Sequence, residues 1–195
     1  MRNLQNVFTS NLSETKLVFF DKNQTNNLSL LDIVKHAVKT VAHVLGEHDR
    51  LAIVSYSSEA KLVSPLLAMT PNNRKSAIEK LEALQPDGMT NLWAGVKLGV
   101  ESLLTTDTVA KSGRVRSVFV LTDGQPNVEP AVGHVKALER LYASNPALQA
   151  SLHSFGFGYG VNSKLLLDMA RVGRYTQLEA IFKIKINIFS HEKSF

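Results

Sequence analysis

A chain of 195 residues, 44% hydrophobic and 20% charged, has enough apolar material for one well-cored domain and too little length for a second of ordinary size. Its formal charge of +5 arises from 22 basic residues scattered among apolar ones, which argues against nucleic acid as a partner; the densest stretches, 111–116 and 171–174, read as solvated loop and helix-end charges. The lack of cysteine removes disulfides, thiolate metal sites and thiol nucleophiles and favours a reducing, cytoplasmic setting, while no secretory apolar core is found in residues 1–20 and no run nears the ~18 apolar residues of a membrane span.

The apolar run from Lys16 to Phe20 ends at Asp21, as a buried strand opening into a polar loop would. From Leu28 to Leu45 apolar residues recur at Leu30, Ile33, Val34, Ala37, Val38, Val41, Val44 and Leu45, the spacing of one buried helical face, and Gly46 stops the helix. Arg50 to Tyr56 is nearly continuous apolar sequence, as expected for a central strand covered on both faces. A turn at Ser57 and Ser58 leads to an antiparallel edge partner over 59–63. Pro71 opens a helix that runs to Leu84 before the breaker 86–88, and a further helix spans about 92–104. Val115 to Leu121 is a second buried strand, again followed by an aspartate, Asp123. A helix over about 132–143, a strand over 150–158 and a helix over 161–171 complete the series.

This alternation predicts an α/β fold: a doubly wound, mainly parallel sheet of about five or six strands, with helices on both faces and one antiparallel edge strand. In such a sheet ligands bind outside the carboxyl ends of the strands, where strand order reverses. Asp21 and Asp123 are the acids at two such ends, expected to be neighbours, with the Thr90 hydroxyl in a nearby loop. Carboxylate, hydroxyl and water oxygens are the ligands that Mg²⁺ prefers.

Five tracts in order, 34–40, 49–55, 87–92, 120–125 and 155–158 with Asn162 and Leu166, resemble the successive signatures of the von Willebrand factor A domain. The resemblance covers roughly residues 28–175, and is nearest to intracellular members that sit beside RING- or U-box-type ubiquitin-ligase modules. It implies a Rossmann-like protein-interaction module without enzymatic activity. It also implies a partner whose acidic side chain completes the coordination of a metal ion at the top of the sheet. That site uses an Asp-x-Ser-x-Ser loop, a Thr and a later Asp; Thr90 and Asp123 match the last two, and Asp-x-Ser-x-Ser does not occur here.

Asp21, Asn23 and Thr25 offer a carboxylate, an amide oxygen and a hydroxyl at the spacing of the missing loop, which would give a degenerate Mg²⁺ site. Alternatively Asp21 lies in an insertion and the metal loop is absent. The family puts more residues between its Asp and the first helix than separate Asp21 from Leu28, which favours this alternative and predicts that Mg²⁺ binding is weak or lost.

Other motifs are weaker. Gly156, Gly158 and Gly160 could begin a dinucleotide-binding turn but lack the third glycine in position, so they read as a tight strand-to-helix turn. His36, His43 and His48 have no zinc-binding arrangement and read as surface residues, and Trp93 reads as core. An enzyme acting through Asp21 and Asp123 would have no base or nucleophile beside the pair. A substrate-recognition part of a ubiquitin-ligase-like protein is the rival to a free-standing module. The expected organisation is an irregular segment over 1–15, the domain over 16–175 and an atypical tail over 176–195. In that tail Ile184, Ile186 and Ile188 alternate with Lys183, Lys185 and Asn187, a strand-like pattern that would support self-association.

Overall fold

The computed structural model describes residues 14–21, 30–86, 89–104, 115–146, 148, 150–157 and 160–173. Along them run β1 (Glu14–Asp21), α1 (Leu30–Val44), β2 (Arg50–Tyr56), β3 (Ala60–Ala68), α2 (Pro71–Glu82), α3 (Leu92–Leu104), β4 (Val115–Thr122), α4 (His134–Ala143), β5 (Ala150–Gly156) and α5 (Ser163–Val172). The five-stranded sheet has the order β3-β2-β1-β4-β5. Parallel pairing joins β1 to β2, β1 to β4 and β4 to β5, and only β3 runs antiparallel, against β2. This is the expected doubly wound fold. The chain leaves β1 toward β2 and leaves β4 toward β5, so strand order reverses between β1 and β4.

Two cores form because successive strand residues face opposite sides. On one side Ala52, Val54 and Tyr56 of β2, Val118 and Val120 of β4, and Ala150 and Leu152 of β5 pack against α3, α4 and α5. On the other, Leu51 and Ile53 of β2 and Leu121 of β4 pack against α1 and α2. Every β2 residue after Arg50 is buried, so its uninterrupted apolar run reflects a strand covered on both faces. Each fully buried Leu, Ile or Val contributes about 1.5–3 kcal/mol relative to an exposed one.

Helices α1 and α2 also cap one another. Lys35 of α1 donates to the carbonyls of Glu82 and Leu84 at the end of α2, at 2.9 and 2.8 Å. Arg74 of α2 donates to the carbonyls of Ala42 and Leu45 at the end of α1, at 2.9 and 2.8 Å. Cations thus satisfy the last carbonyls of both helices, where the helix dipole favours positive charge. Gly95 of α3 rides directly on β2: a Cβ there would lie 2.7 Å from Cδ1 of Tyr56, so any larger residue would push α3 off the sheet.

Several boundaries differ from those expected. The edge strand continues to Ala68, through Pro65, where a shorter strand had been expected. Pro65 is tolerated because β3 lies at the sheet edge and its pairing with β2 shifts register between Leu51 and Val54, so no ladder hydrogen bond is demanded of it. Helix α4 begins at His134 because Gly133, with φ of 78°, precedes it. Helix α5 starts at Ser163, where the Asn162 side chain accepts a 3.0 Å bond from the Leu165 N–H. The expectations for Asn23, Thr25 and the Ile184, Ile186 and Ile188 strand fall outside the described residues.

Candidate functional site at the carboxyl ends of β1, β2 and β4

The three central strands end together. The register pairs Asp21 of β1 with Tyr56 of β2, and Phe20 of β1 with Leu121 of β4. Asp21 therefore closes β1 beside the end of β4, and Asp123 follows Thr122, the last residue of β4. The Thr122 hydroxyl donates to the Gly124 carbonyl at 3.3 Å and the Thr122 carbonyl accepts from the Phe157 N–H at 2.9 Å, which fixes the turn at Asp123 against the end of β5. Oδ2 of Asp123 is buried within this turn.

Thr90, 5% exposed, lies in the loop before α3 and is held from two directions. Its N–H donates to Oδ1 of Asn127 at 2.9 Å, and the Asn127 N–H donates to the Thr90 carbonyl at 3.2 Å. On the other side the Asn91 N–H donates to the Ser57 carbonyl at 2.7 Å, and Nδ2 of Asn91 donates to the Ser58 carbonyl at 3.2 Å. Asn91 also caps α3, its Oδ1 accepting from the Ala94 N–H at 3.1 Å. The loops at 57–58, 89–91 and 123–127 thus form one hydrogen-bonded rim around the strand ends.

Among the described residues this rim offers the Asp123 carboxylate and the Thr90 hydroxyl, with Asp21 at the neighbouring strand end. Mg²⁺ demands six oxygens in octahedral array and commonly keeps several waters. The donor set fits an ion that keeps waters and takes a ligand from a partner; it does not fit a closed, tight site.

Where this loop ends, His134, the first residue of α4, is buried, with Nδ1 3.7 Å from Oε1 of Glu129. Burial pushes its pKa below the ordinary histidine value, against the opposing pull of Glu129. Neither Asn127 nor His134 stood out in the sequence. The one available signal was an asparagine shortly after the Asp-Gly turn, a residue type suited to binding backbone groups of another loop. His36, His43 and His48 are exposed, and Trp93 is packed partly buried against the larger core, both as expected. A separate open groove of 560 Å³ is lined by Val135, Glu139, Tyr142, Asp168, Arg171 and Val172 of α4 and α5, and includes no residue of the strand-end loops.

Comparison with known proteins bears on the family and the fold. A family model described as von Willebrand factor type A domain matches residues 22–184. The E3 ubiquitin-protein ligase WAVH1 of Arabidopsis thaliana is 27% identical over 163 residues, covering 78% of this chain and 23% of its own length. The probable E3 ubiquitin-protein ligase WAVH2 of the same plant is 36% identical over 110 residues, 54% of this chain and 15% of its own. The chain thus spans less than a quarter of either relative. Among solved structures, a von Willebrand factor type A protein from Catenulispora acidiphila superposes with a TM-score of 0.70 at 18% identity, over 83% of this chain and 37% of the other. BatB from Bacteroides thetaiotaomicron gives 0.63 at 17% identity, over 83% and 86%. At such identities the likeness is one of fold.

Proposed function

Because the chain belongs to the von Willebrand factor type A domain family, we propose that it is a protein-interaction module that receives its partner in the crevice at the ends of β1, β2 and β4. The observation that supports this reading is the clasp between Thr90 and Asn127, which joins the Thr90 loop to the loop of Asp123 at the point where strand order reverses. An acidic side chain of the partner would complete the coordination of a Mg²⁺ ion at Thr90, Asp123 and Asp21, since without the ion those carboxylates would repel it. The ion alone would be held weakly, because too few charged oxygens are offered to offset the loss of its hydration shell. The domain would act by binding and not by catalysis, in the cytoplasm.

A second reading, favoured by the names of the two plant relatives, makes the domain the substrate-recognition part of a ubiquitin-ligase-like protein. Its 195 residues contain no cysteine, so a thiolate-bound zinc module would have to be supplied from elsewhere. The binding surface would be the same crevice in both readings.

The test is affinity capture with the full chain and with Thr90→Ala and Asp123→Ala, each in Mg²⁺ and in EDTA. Loss of the same captured protein with both variants supports the crevice. Equal capture by all three chains would move the interaction elsewhere, and equal capture in EDTA would remove the metal from the mechanism.

A further inference from the structure

We infer that Asn127 is the positioning residue of the crevice: by binding both backbone groups of Thr90, it sets where the Thr90 hydroxyl stands relative to Asp123. The consequence for ligand binding rests on the reading of the crevice given above; the positioning itself does not.

Thr90 and Asn127 lie 37 positions apart and neither belongs to a strand or helix. Their two bonds reproduce one rung of an antiparallel ladder, with a side-chain amide oxygen standing in for one of the carbonyls. Because Thr90 is buried, its N–H must find an acceptor inside the protein, and leaving it without one would cost about 1–3 kcal/mol. Oδ1 of Asn127 supplies that acceptor. The loop that carries Asn127 also carries Asp123, so the clasp fixes the spacing between the two positions that would face a bound ion or carboxylate. Asn91 fixes the opposite side of the Thr90 loop to Ser57 and Ser58, and the clasp ties the loop to the segment that carries Asp123.

Asn127 is itself exposed, at the rim of the crevice. No core packing depends on its side chain, so its replacement should leave the fold intact. Asparagine suits the position because its short amide reaches a neighbouring backbone N–H without adding charge beside Asp123. Alanine would remove the acceptor. Aspartate would keep it.

The experiment compares the full chain with Asn127→Ala and Asn127→Asp by NMR amide hydrogen exchange, and by titration with Mn²⁺ followed through line broadening at Thr90 and Asp123. Exchange at the Thr90 amide should accelerate about fivefold to tenfold in Asn127→Ala and return to the parent rate in Asn127→Asp, with the melting temperature of Asn127→Ala lowered by only a few degrees. Broadening of Thr90 and Asp123 by Mn²⁺ should then require several-fold more metal in Asn127→Ala. Unchanged Thr90 exchange in Asn127→Ala would overturn the inference, and so would an acceleration that Asn127→Asp fails to reverse. If the parent chain shows no response to Mn²⁺, the metal reading of the crevice fails and the exchange measurement alone decides the role of Asn127.

Discussion

The phenol of Tyr56, at the end of β2, donates a 3.0 Å hydrogen bond to the carbonyl of Leu121 near the end of β4, although β1 lies between those strands. The register places Asp21 beside Tyr56 and Phe20 beside Leu121, so the bond passes across the last residues of β1 and ties the ends of β2 and β4 together over it. Both Tyr56 and Leu121 are buried, so the bond is shielded from competing water. Tyr56→Phe keeps the packing against Gly95 and removes only the bond. It should cost about 1–2 kcal/mol in urea denaturation, with the loss of amide protection concentrated at the ends of β1 and β4. A variant of parent stability would show that the bond contributes nothing to holding the strand ends.

His134 gives the domain an acid-sensitive point. Its pKa is lowered in the folded state, chiefly by burial, whereas in the unfolded chain it returns to about 6.5. The unfolded state therefore binds the proton more readily. Stability from this group is fully present above the unfolded value and is lost as pH falls below it toward the folded value. Denaturation midpoints measured from pH 8 to pH 5 should fall more steeply for the parent than for His134→Gln, with Glu129 limiting the difference. Parallel pH profiles would show that His134 does not carry this sensitivity.

Mg²⁺ should bind the full chain no tighter than roughly millimolar, because the hydroxyl-rich first loop of the family's metal site is missing. Isothermal titration checks this. A micromolar constant abolished by Asp123→Ala would mean that Asp21, Asn23 and Thr25 replace the missing loop.

Where burial is dictated by a continuous or periodic apolar pattern, the fold was legible in the sequence. Residues 51–56 read as a strand covered on both faces, and α1 was legible as an amphipathic helix, although its buried face is Leu31, Val34, Val38 and Ala42, with Leu45 just beyond its end, whereas Ile33 and Val44, expected on that face, are exposed. Pro65 concealed half of β3, since a proline is compatible with a strand only at an edge or an irregularity, which pairing alone reveals. The reciprocal caps by Lys35 and Arg74 were hidden for a similar reason: each depends on the end of another helix lying within reach. At the candidate site Thr90 and Asp123 were legible from residue type and from their position after predicted elements. Asn127 was not, because its part comes from a loop 37 residues away.

Amide hydrogen exchange of the chain with and without a protein it captures tests the central claim most directly, because it reports where on the surface the partner sits. The crevice reading predicts new protection at residues 57–58, 89–91 and 123–127, lost when Asp123→Ala is used in place of the parent. Protection confined to the α4 and α5 groove, at Val135, Glu139, Asp168 and Arg171, with the strand-end loops unchanged, would contradict it.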